Sequence, residues 1–322
     1  MNSATAVSPA NIAFIKFWGK TDSNQNIPYN DSMSMNLSGC LTTTTVEFDP
    51  RLDDDRIVIN KFEASGSGKQ RVVRILDIVR REAGMGLKAK VESANNFPTA
   101  SGIASSAAAF SALAMAASTA AGLTLSKREL SRLARLGSGS ACRSIFDGFV
   151  YWKGGKDDRT SYAYQLAPVT HWDLWDIVAV VAKESKKASS TQGHSVATSS
   201  PYFRQRQRGL PLRIKQMKEA MLKKDFPKFG RLLEEEAVDL HVMAMTSRPP
   251  IFYWNSGTME VMKKIREWRE EGKEAYFTMD AGANVHVICR AKDEAEINQR
   301  LGRIAGIEST IVNKPGRGTW LI

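Results

Sequence analysis

Four segments of the 322-residue chain combine residue types that act on anions. In residues 95–109, NNFPTASGIASSAAA, a loop of proline, glycine and serine runs straight into an alanine-rich helix. Gly102 lets backbone approach a ligand closely. The free N–H groups of the helix start, with the hydroxyls of Ser101, Ser105 and Ser106, are donors for phosphate oxygens. A small-residue helix packed tightly on a sheet accounts for these residues equally well. In residues 137–144, GSGSACRS, two glycines alternate with Ser138 and Ser140 ahead of Arg143, whose guanidinium can grip a carboxylate or phosphate through paired N–H groups. Taken alone, that run also reads as a surface turn. Asp280 closes a β-rich run in residues 279–285, MDAGANV, either as a carboxylate held near a hydroxyl or lysine or as a turn residue. Lys16 and Lys20 stand in an apolar stretch, IKFWGK, at 15–20. An inward lysine needs an anion, because burying an unpaired ammonium is expensive, and Asp280 would serve. Two solvated strand-end charges are the plain alternative.

Lys and Arg number 45 against 34 Asp and Glu, a net charge of +11. That balance favours an anionic partner without choosing among a polymer, a membrane and a phosphorylated small molecule. Cys40, Cys142 and Cys289 are odd in number, far apart and free of any CxxC pair. Neither a disulfide framework nor a cysteine-rich zinc site is expected, and a reducing cytoplasm fits. The N-terminus shows no basic-then-apolar leader, and residues 102–122 are alanines broken by serine and threonine, so neither secretion nor a membrane span is predicted. Two lysines, an arginine, two serine-glycine loops and a strand-end aspartate together suit ATP and a phosphorylated substrate.

The elements that must position these residues are legible in the pattern. Alternating or β-rich runs predict strands at 5–17, 40–48, 56–62, 87–93 and 173–182. Val72, Leu76, Val79 and Ala83 predict a helix over 69–83 stopped by Gly84, and a second helix covers 103–121. A third starts at Ser126, where Ser126 and Glu129 form a capping box. Beyond a polar stretch at 183–193, helices are expected at 212–224, 226–245, 256–271 and 293–303, and strands at 275–279, 285–290 and 306–312. The domain boundary is placed near 185, giving lobes 1–185 and 186–322 of an α+β protein.

Several stretches then resemble one family in order and spacing. NIAFIKFWGK at 11–20, IPYNDSMSMNL at 27–37, NNFPTASGIASSAA at 95–108, GSGSACRSIFDGF at 137–149, SSTQG at 189–193, PPIFYWN at 249–255 and MDAGANV at 279–285 are similar to motifs of the mevalonate diphosphate decarboxylases, within the GHMP kinase superfamily. The resemblance implies a mixed-sheet N-terminal lobe, a ferredoxin-like C-terminal lobe and a cleft between them. It implies that ATP, with Mg2+, phosphorylates the 3-hydroxyl of a 5-phosphorylated mevalonate, after which phosphate and carbon dioxide leave. By the same resemblance Asp280 orients or deprotonates that hydroxyl, Lys16 sits beside Asp280 and the transferring phosphoryl group, and Arg143 holds the carboxylate. Ser138, Ser140, Ser190 and Lys20 surround the substrate while Asn11 braces the active strand. Ser101, Gly102, Ser105 and Ser106 cradle the ATP phosphates, with Ser106 a candidate contact to the metal, and Lys186 or Lys187 adds positive charge.

Two departures bear on the substrate. Phe17 stands where the family carries tyrosine, removing a hydroxyl donor, and His194 stands where it carries methionine. Both positions belong to the end that holds the substrate's 5-diphosphate in the family. The expectation is therefore mevalonate 5-phosphate giving isopentenyl phosphate, with mevalonate 5-diphosphate as the alternative. A homodimer is expected from the resemblance. Residues 204–231 hold ten basic and two acidic residues, which raises nucleic acid as a distant alternative. The run lacks interleaved stacking aromatics, and a solvated helix face explains it more simply.

Overall fold

The computed structural model describes residues 2–98, 103–181 and 188–322. Ser101, Gly102, Lys186, Lys187 and the expected boundary at 185 lie outside the described residues. The chain forms β1 (Ser3–Ile15), β2 (Lys20–Asp22), β3 (Ile27–Pro28), β4 (Ser32–Asp49), β5 (Arg56–Ile59), β6 (Phe62–Glu63), α1 (Gly66–Ala83), β7 (Lys88–Asn95), α2 (Ser105–Ala120), α3 (Lys127–Gly137), α4 (Ala141–Ser144), β8 (Phe149–Lys153), β9 (Tyr162–Ala167) and β10 (Leu174–Val180). It continues with α5 (Ser190–Val196), α6 (Phe203–Lys223), α7 (Phe226–Met245), α8 (Ser256–Glu270), β11 (Ala275–Thr278), β12 (Val285–Arg290), α9 (Glu294–Leu301), β13 (Ser309–Asn313) and β14 (Trp320–Leu321).

The first sheet is mixed and runs β14-β1-β4-β7-β5-β6, with β8 on the first half of β4 and β9 on β8. β5 and β7 pair in parallel. One face of this sheet packs Val46, Phe48, Ile57 and Val91 against the apolar stripes of α1, α2 and α3. In α1 that stripe is Val72, Ile75, Leu76 and Val79, and Gly84 ends the helix at φ 64°, as the spacing predicts. The capping box at the start of α3 is present in full. β1 is buried on both faces from Ala6 onward because the other side of the sheet receives α6 and α7, with Ile12 and Phe14 meeting Met217 and Phe229.

The second sheet is antiparallel, ordered β11-β12-β10-β13. With the helices between β10 and β11 and α9 between β12 and β13 it follows the β-α-β-β-α-β succession of a ferredoxin-like lobe, the expected fold class. β10 lies before residue 185 yet pairs entirely within this sheet, while β14 returns to β1.

Three local expectations are corrected. The strand expected over 56–62 breaks into β5 and β6 at Asn60 and Lys61, both left-handed, which reverses the chain. The helix expected to begin at 212 begins at Phe203 and runs through Pro211, because Phe203, Arg206 and Leu210 are buried and tertiary packing overrides the proline. The polar stretch ending at Gly193 closes in a helix, α5, capped by Ser189. Among the described residues no helix is long and apolar enough to cross a membrane.

Candidate active site

β1 delivers Lys16 into the core just past its end. The side chain is 1% exposed, and its Nζ donates to the Ala13 carbonyl at 2.7 Å and to Asp280 Oδ1 at 2.7 Å. The inward lysine has the anion its burial calls for. Its backbone is clamped as well: Glu236 of α7, fully buried, accepts the Lys16 main-chain N–H at 2.9 Å and pairs with Arg206 at 2.7 Å and Arg213 at 2.8 Å. Two arginines of the basic run are thereby consumed inside the protein. Burial pushes the Lys16 ammonium below its usual range despite Asp280 and Glu236. Burial would push the Asp280 carboxyl up, but Lys16 and, more weakly, His286 and Arg143 outweigh it and hold it below the usual carboxylate range. Asp280 is therefore ionised at neutral pH, and that ionisation is lost only as pH falls through the depressed value.

Arg143, 1% exposed, leaves the short α4 toward the same space. It donates to Ser32 Oγ at 2.7 Å, Ser34 Oγ at 3.0 Å and Asn11 Oδ1 at 2.9 Å. All three are neutral, so the guanidinium is fixed in direction while its charge faces the cleft. Asn11 in turn donates to Ser144 Oγ at 2.8 Å and the Ser140 carbonyl at 3.2 Å, tying β1 to the loop that carries Arg143.

The cleft encloses about 360 Å³. Its lining brings together Lys16, Phe17, Lys20, Ser105, Ser106, Ser138, Ser140, Arg143, Ser190, His194 and Asp280. Asn11 stands behind it. The start of α2 meets the turn after α3 directly, Ser106 Oγ lying 3.2 Å from Ser138 Oγ.

Arg71 and Arg74, which sequence reading passed over, also line the cleft. Their signal was two arginines at i and i+3 beside the buried stripe of α1. Arg71 stacks on Phe110 at 4.5 Å and donates to the Gly137 carbonyl at 2.7 Å, and Arg74 donates to the Asn24 carbonyl at 2.6 Å. Lys20 reaches Asn26 Oδ1 at 2.6 Å in the β2–β3 ribbon. Burial, then Arg71, lowers its ammonium to about 8. Its charge fades as pH rises through that value, so KM for a phosphorylated ligand is expected to climb above pH 8, measured by initial rates from pH 6.5 to 9.

His194 does not stand alone as a phosphate ligand. Its ring lies 4.1 Å from Phe17 and 5.0 Å from Trp18, and its Nδ1 accepts the Gly19 N–H at 3.0 Å. Phe17 in turn meets Trp152 edge-on at 4.8 Å. Gly193 makes this possible: a Cβ there would come within 2.2 Å of Trp18 and 2.8 Å of the Tyr253 hydroxyl. Gly193→Ala is expected to push α5 off the aromatic band and raise KM roughly tenfold, within the about 1–3 kcal/mol range of overpacking, with kcat little changed.

The chain matches two family models in succession. One describes a diphosphomevalonate decarboxylase-like N-terminal domain over residues 8–163, the other a mevalonate 5-diphosphate decarboxylase C-terminal domain over residues 176–315. It is 37% identical over 302 residues to the diphosphomevalonate decarboxylase of Candida albicans, covering 88% of this chain and 83% of that protein. It superposes on the mevalonate diphosphate decarboxylase of Staphylococcus aureus with a TM-score of 0.93 at 38% identity, covering 99% of this chain and 98% of that one. A structure described as MDDEF in complex with MVAPP, AMPPCP and magnesium gives 0.94 at 36% identity with the same coverage.

Proposed function

The chain belongs to the diphosphomevalonate decarboxylase family, and on that premise we propose that it converts mevalonate 5-diphosphate and ATP to isopentenyl diphosphate, ADP, phosphate and carbon dioxide. The observation that carries the reading is the meeting in one cleft of the ionised Asp280–Lys16 pair with Arg143, a buried cation whose hydrogen bonds among the described residues go to neutral groups.

Asp280 accepts the hydrogen bond of the substrate 3-hydroxyl and draws its proton as the oxygen attacks. Lys16 uses two N–H groups on Ala13 and Asp280, and its remaining N–H faces the transferring phosphoryl oxygens, where fixed positive charge does most of the catalytic work. Arg143 orients the carboxylate so that its bond to carbon lies ready to break as the 3-phosphate departs. Ser105 and Ser106, at the start of α2, and Ser138 donate to ATP phosphate oxygens. Hydroxyl oxygens beside phosphate are the hard donors magnesium takes, and Ser106 is the side chain we assign to it. Held there, magnesium would supply positive charge that offsets the charge of the ATP phosphates.

Support for the diphosphate comes from the relatives' names and from Lys20, Arg71 and Arg74, three cations along one wall of the cleft. These observations favour the alternative, mevalonate 5-diphosphate, over the expected mevalonate 5-phosphate. One hydroxyl lost at Phe17 is worth about 1 kcal/mol, less than that cluster of cations supplies, and the rings of Phe17 and His194 are engaged with each other. The monophosphate stays as a second reading because Phe17 offers no donor. Initial rates with ATP, Mg2+ and each of mevalonate, mevalonate 5-phosphate and mevalonate 5-diphosphate decide it. A kcat/KM for the diphosphate about tenfold or more above the monophosphate is expected, and the reverse order overturns the assignment.

A further inference from the structure

A diagonal polar stripe crosses an otherwise largely apolar face of the second sheet. Register sets Asp176 opposite Asn313, Thr278 opposite His286, and Val178, two residues from Asp176, opposite His286. Residues paired directly or two apart share a face, so Asn313, Asp176, His286 and Thr278 lie together. This face looks toward the first sheet: Val178 and Ile288 cluster with Ile12, Phe14 and Cys40, and Asn313 Oδ1 accepts the Gly39 N–H at 2.9 Å.

Asp176 is 0% exposed and His286 1%. His286 Nδ1 lies 3.1 and 3.0 Å from the two Asp176 oxygens, and Asn313 Nδ2 lies 3.4 Å from one of them. A buried carboxylate without a cation is expensive, and among these contacts His286 alone can supply one. At the far side of the ring, His286 Nε2 and Thr278 Oγ1 are both buried and, among the described residues, have no hydrogen-bond partner, on directly opposed residues. With Nδ1–H donated to the Asp176 carboxylate, a second hydrogen on Nε2 makes the ring the cation that the buried carboxylate calls for. Thr278 is two residues before Asp280, so the stripe ends at the cleft.

We propose that Asp176 holds His286 as an imidazolium, and that His286 is a positioning residue whose charge keeps Asp280 ionised when anionic substrates fill the cleft. The role for Asp280 rests on the functional reading above; the charge relation does not. Asp280 also faces Lys16 and Arg143 from the first lobe and His241 from α7, which burial lowers to about 4 and so leaves neutral. Glu236 acts on Lys16, and near Asp176 the thiols of Cys40 and Cys289 are pushed up by burial and stay uncharged.

The test is NMR on the full chain without substrate. In 15N-histidine protein at pH 7, both His286 ring nitrogens are expected to carry hydrogen, and Asp176→Asn to remove one of them. In 13C-aspartate protein, the Asp280 titration midpoint is expected to rise by about one pH unit in His286→Gln and to stay in place in His286→Lys, which keeps a cation. If His286→Gln does not fold, Asp176→Asn carries the same expectation. A neutral His286 in the wild type, or an unmoved Asp280 midpoint in a folded variant, overturns the proposal. Inactivity of the wild type on every mevalonate would instead overturn the functional reading, leaving these spectra to decide the charge relation.

Discussion

Asp280→Asn is expected to lower kcat by about 10²–10⁴-fold, the usual contribution of a positioned acid or base, while KM for the mevalonate substrate changes little. The amide keeps the shape of the carboxyl and an oxygen for Lys16 Nζ, but it takes no proton from the 3-hydroxyl. It also leaves the Lys16 ammonium, 1% exposed, without its counter-charge. Breaking one partner from a fully buried pair costs about 3–5 kcal/mol. The Asp280 side chain is 22% exposed, so water shares the charge and the loss falls at or below the low end. Steady-state rates and a thermal melt on the same preparation separate the two effects. A variant that melts earlier yet keeps wild-type kcat would remove Asp280 from the chemistry.

Arg143→Gln is expected to show the opposite division. Loss of a buried charged partner typically weakens binding by about 2–5 kcal/mol, roughly 30- to 5,000-fold in kcat/KM, because the substrate carboxylate then has no oriented cation. Stability should not fall with it. In the substrate-free protein Arg143 is a desolvated guanidinium whose contacts are Asn11, Ser32 and Ser34, all neutral, and burial already lowers its hold on its proton. Replacing that desolvated charge by a neutral amide removes its desolvation penalty, which offsets the hydrogen bonds lost to Asn11, Ser32 and Ser34. The melting temperature is expected to stay within a few degrees of wild type or to rise. A collapse in stability would make Arg143 a structural strut.

Much of this site was readable because burial of charge obeys simple rules. A lysine in an apolar strand demanded an anion, Asp280 was the available one, and the two meet at 2.7 Å. The glycine-serine runs looked ordinary one by one; only the tertiary approach that sets Ser106 against Ser138 makes them one wall, and no local spacing encodes that approach. Arg71 and Arg74 were missed because α1 was read for its apolar stripe alone. His194 lines the cleft, but its ring contact with Phe17 depends on Gly193 lying against Trp18, a contact between distant segments. The ferredoxin-like sheet was anticipated through resemblance; that β10 pairs across the polar stretch into that sheet follows from long-range register, which strand propensity does not carry. Pro211 inside α6 is the same lesson in reverse, local preference yielding to buried side chains on either side.

The most direct test follows mevalonate 5-diphosphate labelled in its carboxyl carbon through a single incubation with ATP and Mg2+, counting labelled carbon dioxide against ADP and phosphate. A cleft in which Asp280 and Lys16 serve phosphoryl transfer while Arg143 holds the carboxylate predicts the three products in equal amounts from the first turnover, with isopentenyl diphosphate left behind. ADP accumulating without carbon dioxide would make the protein a kinase that stops at the 3-phosphate, and would contradict the role given to Arg143 and with it the account of the site.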